Sequence, residues 1–143
     1  MVIKIFKEYI NEGTIRQISP DKERAQDLFL ESERKFNLLE ETIQKMDIRD
    51  DNANDYVEYC YNIIMFLIRA KMLEKGYISS GQGAHEAEVA FARNFKLNDS
   101  EVRLLNQLRY FRNGILYYGK RFDKEYAEKI IKFTHKIYQL IKK

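Results

Sequence analysis

The stretch that decides the fold is Tyr56-Val57-Glu58-Tyr59-Cys60-Tyr61-Asn62-Ile63-Ile64-Met65-Phe66-Leu67-Ile68-Arg69-Ala70-Lys71-Met72-Leu73-Glu74-Lys75. Twenty residues without glycine or proline read as one helix, closed by Gly76. Val57, Cys60, Ile63, Ile64, Phe66, Leu67, Ala70 and Leu73 cover more than one face of it, as expected of the central helix of a bundle. Arg69 is the anomaly on this helix. A cation in so apolar a setting is either paired or snorkelling to water, or it contacts a phosphate directly.

Working outward, Ala25, Leu28, Phe29, Ser32, Phe36, Leu39, Ile43 and Met46 step by three and four along a long amphipathic helix. Ser19-Pro20-Asp21 is its start signal, combining a capping serine, a proline suited to the first turn and an aspartate at the positive dipole end. Asp47 to Asn54 reads as the connection, with Asn54 or Asp55 capping the central helix. Ile3, Phe6, Tyr9 and Ile10 predict a short first helix closed by Gly13. Beyond the glycine turn at Gly76, Gly81 and Gly83, helical spacing resumes from His85 to Phe95. Asn98-Asp99-Ser100 then caps a helix running through Val102, Leu105, Leu108 and Phe111 to Arg112. Asp123 to Lys143 is the last, with Ala127, Ile130, Thr134, Ile137 and Ile141 facing in.

No β-alternating run, repeat or low-complexity linker stands out. The expectation is a single all-α domain over 1–143, an antiparallel up-and-down bundle of four to five main helices with a short N-terminal helix.

The chain has 143 residues, 45% hydrophobic and 33% charged, with one proline and six glycines, a composition suited to a globular fold rather than disorder. Its net charge of +3 is compatible with an anionic partner without requiring one. The single Cys60 excludes an intrachain disulfide framework, and the distant His85 and His135 do not form a metal-binding pair, so neither metal nor cofactor is expected. The rapidly charged N-terminus and the short apolar run at Ile63 to Ile68 argue against a signal peptide or a membrane span and for a cytoplasmic protein.

Arg112-Asn113-Gly114-Ile115-Leu116-Tyr117-Tyr118-Gly119 concentrates phosphate-binding chemistry at a helix end. Arg112 offers a fixed charge and a bidentate fork, Asn113 an orienting amide, and Tyr117 and Tyr118 hydroxyls and stacking faces. The structural alternative has both tyrosines anchoring the helix end and Arg112 paired to a carboxylate.

With these residues in view, the chain resembles the HEPN superfamily of small helical bundles over nearly its whole length. The resemblance is carried by Ile10 to Ala25 leading into the first long helix, by Ala70 to Tyr77 at the end of the central helix, and by His85 after the glycine turn. Arg112-Asn113 matches the start of the family's arginine-to-histidine signature, but Tyr117 stands where the histidine belongs. The resemblance implies metal-independent RNA cleavage in catalytic members, with arginine stabilising the phosphate and histidine moving the proton. Tyrosine, with an ordinary pKa near 10, supplies little base at neutral pH. Toxin members paired with a nucleotidyltransferase carry a modifiable tyrosine where this chain has Gly119, so that modification does not transfer.

The leading expectation is therefore a catalytically degenerate module that binds RNA or a nucleotide through Arg112, Asn113, Tyr117 and Tyr118. The alternatives are a toxin-type endoribonuclease using Arg112 with Tyr117 or His85, and a non-catalytic subunit partnering a nucleotidyltransferase. The family habit also implies a homodimer.

Overall fold

A computed structural model describes residues 3–119 and 121–142, with the side chains of 113–118 outside that description. The described residues form an all-α bundle: α1 (Phe6–Asn11), α2 (Lys22–Lys45), α3 (Ala53–Lys75), α4 (Ala84–Phe91), α5 (Asp99–Tyr118) and α6 (Lys124–Ile141). A single 3-10 segment, Ala92–Phe95, follows α4. None of these helices is long and apolar enough to cross a membrane.

Helix α3 occupies the centre because it is apolar over most of its circumference. Cys60, Ile63, Ile64 and Ile68 are all fully buried, and α2, α4, α5 and α6 all pack against it. Ser32 lets α2 approach closely, its buried hydroxyl donating to the Ile63 carbonyl at 3.3 Å. On the outer side, α2 and α6 are joined by Phe36 stacked on Tyr138, with ring centroids 4.1 Å apart, and by a hydrogen bond between the Glu40 carboxylate and the His135 ring.

The helix starts follow local polar chemistry, with some shifts from expectation. Asp21 itself caps α2, accepting from the Arg24 amide at 3.0 Å, so neither serine nor proline is the capping group. Helix α3 begins at Ala53 rather than beyond Asn54. Asn52 instead organises the preceding turn, accepting from the Arg49 amide and donating to the Asp47 carbonyl. Asn54 is drawn away to accept from the Phe122 amide at 2.8 Å, tying the start of α3 to the segment before α6. Helix α5 opens with a reciprocal capping box in which the Asn98 side chain accepts from the Glu101 amide and the Glu101 carboxylate from the Asn98 amide. Glu101 also pairs with Lys136 of α6.

A two-stranded sheet of three residues each accompanies the helices. β1 (Ile15–Gln17) and β2 (Tyr77–Ser79) pair antiparallel, with Ile15 opposite Ser79 and Gln17 opposite Tyr77. Three residues are too few for alternation to show in the sequence, and the pairing is imposed by the chain returning alongside the end of α3. The Ile18 amide donates to the Gly76 carbonyl at 2.8 Å and the Asp21 amide to Leu73 at 3.0 Å, extending the clasp.

Gly76 is required there twice over. Its φ is +86°, and a Cβ would lie 2.5 Å from the Ile18 carbonyl oxygen. Gly13 has nearly the same φ of +84° but no neighbour within 4 Å of a Cβ. Gly13→Ala should therefore cost about 1–2 kcal/mol, the left-handed backbone penalty alone, and Gly76→Ala distinctly more. Urea denaturation of both variants measures the difference.

Burial pushes the Cys60 thiol up to about 12. Keeping it neutral stabilises the fold fully below its unfolded value of about 8.5, and that contribution is lost as pH rises through the folded value. Melting temperature should fall more steeply in the parent than in Cys60→Ala between about pH 9 and 12. The native thiol should also resist a disulfide reagent at pH 8 until urea is added.

Candidate functional site

Helices α3, α4 and α5 meet around the buried Tyr61, which is 4% exposed. Burial, reinforced by Glu88, pushes its hydroxyl up to about 12, while Arg69, Arg109 and Arg112 act in the opposite direction. The phenol therefore stays neutral near pH 7 in a neighbourhood of three guanidinium groups and one carboxylate.

Arg69 resolves in favour of pairing. Its Nε and Nη2 donate to the two oxygens of Glu88 at 2.9 and 3.2 Å, the bidentate fork that arginine makes best. Glu88 comes from α4 and its side chain is only 4% exposed. The Ser79 hydroxyl of β2 donates to the same carboxylate at 2.9 Å. His85, one helical turn before Glu88, has Nδ1 3.0 Å from that carboxylate and 3.2 Å from Arg69 Nη2. A buried carboxylate held by this many partners is well compensated, and the small strand β2 is one of the elements supplying them.

Helix α5 contributes Arg109 and Arg112, three residues apart and so on one side of the helix. Arg109 donates from Nε to the Asn106 side-chain oxygen at 2.9 Å. Arg112 is partly buried, its guanidinium centred 5.8 Å from the Tyr61 ring in a cation–π arrangement. Its Nε is buried and donates to no acceptor among the described residues. Two tyrosine hydroxyls, Tyr59 and Tyr126, are in the same condition, but neither carries a charge. Two other arginines by contrast have filled forks, Arg69 by Glu88 and Arg93 by the carbonyls of Lys4 and Ile3. A buried donor without a partner costs about 1–3 kcal/mol, so Arg112 stands out.

Of the sequence-predicted site residues, Arg112 lies at this junction, with no carboxylate partner among the described residues. Asn113, Tyr117 and Tyr118 fall in the last turns of α5, and their side chains lie outside the described residues. His85 is engaged with Glu88 and Arg69. Tyr61, Glu88 and Arg109 were not identified from the sequence. The signals were there in part: a carboxylate inside the apolar run Ala87-Glu88-Val89-Ala90 is the partner that Arg69 demands, and Arg109 precedes Arg112 by three residues. Among the described residues, no group of three or more histidine, cysteine, aspartate or glutamate side chains is arranged to hold a metal.

The chain matches no protein-family model, no curated protein and no solved structure.

Removing Glu88 leaves Arg69, about one-third exposed, without its counter-charge. Glu88→Ala should destabilise the fold by about 3 kcal/mol, whereas Ser79→Ala, deleting one neutral donor, should cost about 1 kcal/mol. Chemical denaturation of the two variants checks the ratio.

Proposed function

We propose that this chain is a HEPN-like module that binds RNA or a nucleotide-bearing partner through the α5 arginines, and that it binds without cleaving. The observation that carries the reading is Arg112, a partly exposed guanidinium held over the Tyr61 ring with an Nε that no described acceptor satisfies. A phosphate offers the acceptor this fork lacks, bidentate and charge-assisted. Because Nε is covered, the fork closes on phosphate only as the side chain turns toward its ligand. Arg109, fixed by Asn106, adds positive charge one helical turn away.

Binding is favoured over cleavage because the groups that would move a proton are poorly suited. Tyr117 replaces the family's histidine, and His85 faces Glu88 and Arg69 through Nδ1. The nucleotidyltransferase-partner and homodimer expectations rest on the resemblance alone.

Filter binding of short mixed RNAs tests the proposal. The parent should bind with an affinity that falls as salt rises, and Arg112→Ala should lose about tenfold or more, with a shallower salt dependence. Equal, salt-insensitive binding by the two proteins would refute it. On the same RNAs in chelator the parent should leave the strands intact, and cleavage abolished in Arg112→Ala would instead make the chain a nuclease.

A further inference from the structure

Beside the arginine junction, a cavity of about 590 Å³ opens along α5, with Arg93 in its lining. That volume lies within the range of about 300–1,000 Å³ typical of small-molecule sites. Arg93 is not free to bind there, because its guanidinium is spent on the Ile3 and Lys4 carbonyls. It serves instead to pin the N-terminal segment as one wall.

The working wall is α5 itself. Arg103, Asn106, Gln107 and Tyr110 all line the cavity, and their spacing of three, four and seven places them along one helical strip. Tyr110 is 58% exposed, among the most exposed large hydrophobic side chains described. Asn106 is the opposite, 8% exposed, with its side-chain oxygen held by Arg109. That bond fixes the amide in one orientation. Arg103 and Gln107 are exposed. Val102 and Phe111 supply an apolar floor, and Asp99 is the one carboxylate in the lining.

We infer that this groove is a nucleotide subsite, taking a base and its ribose phosphate either as a free nucleotide or as one unit of an RNA strand. Tyr110 offers a face on which a base stacks, an interaction open to any base because every base has a π-face. Gln107 and the fixed Asn106 present paired donor and acceptor atoms suited to a base edge, and the amide pairing is best matched by adenine. Arg103 supplies the phosphate contact, and Asp99 accepts from ribose hydroxyls. The Arg109–Asn106 hydrogen bond joins the subsite to the arginine junction, so a strand crossing α5 meets a base-reading pocket beside a phosphate-binding one. The inference deepens the proposed function and rests on it for the strand form of the ligand.

Calorimetric titration with AMP alone and with a six-nucleotide oligoadenylate RNA tests it, comparing the parent with Tyr110→Ala and Gln107→Ala. Both substitutions lie on exposed positions of α5, and circular dichroism melts confirm the fold. Tyr110→Ala should weaken binding about tenfold or more, the scale of one lost base stack, and Gln107→Ala should weaken it less. Loss for AMP identifies a site competent for free nucleotide, and loss confined to the oligomer identifies one that works only within a strand. Unchanged affinity of Tyr110→Ala for both probes, or no binding of either probe by the parent, overturns the inference. Failure here with RNA binding still dependent on Arg112 removes the subsite and spares the arginine reading. Tyr110-dependent AMP binding with RNA indifferent to Arg112→Ala does the reverse.

Discussion

The constraint on which the structure depends is that α3 is apolar over most of its circumference. With Val57, Cys60, Ile63, Ile64, Leu67, Ile68 and Leu73 all buried, the helix must be enclosed, and each remaining element contributes a strip of cover. The amphipathic α2 and α6 take the largest share, and α4 and α5 close the rest. The short β1–β2 pair clasps the end of α3 where Gly76 reverses the chain. Hydrophobic enclosure thus fixes where α5 lies, and with it the position of the arginines.

Enclosing α3 also brings two of its polar side chains, Arg69 and Tyr61, to the junction with α4 and α5. Arg69 is neutralised by a carboxylate that α4 brings, and that carboxylate is in turn satisfied by Ser79 and His85. Tyr61 has no such exclusive partner; it is compensated by the ring's contact with Arg112 and by a balanced field from Glu88 and three arginines. Arg109 and Arg112 thus bring positive charge to Tyr61 from α5. Among the described residues, the filled fork at Arg69 and the unpartnered Nε of Arg112 set the two arginines apart.

The bundle was legible in the sequence because its signals are periodic and local: the steps of three and four in Ala25 to Met46, the uninterrupted run of α3, and the cap at Asn98. What escaped was set by tertiary contact. Three-residue strands have no periodicity to read, and the choice of Asn52 over Asn54 at the start of α3 depends on the Phe122 amide some 68 residues away. At the site, the need of Arg69 for a partner could be read, but not that Glu88 answers it. Arg112 was singled out by its neighbours in sequence, whereas nothing in the sequence marks Tyr61 as its neighbour in space. The groove along α5 stayed hidden because Arg103, Asn106, Gln107 and Tyr110 look individually like an ordinary polar helix face.

The central claim is that the Arg112 fork awaits a phosphate, and the most direct test observes that nitrogen. Nitrogen-15 NMR of the arginine Nε–H groups, assigned with Arg112→Lys, would be followed as a short RNA is added. The account predicts that the Arg112 signal moves saturably, while Arg69, already paired with Glu88, stays still. An Arg112 signal that does not move at RNA concentrations where other signals of the protein do would contradict it.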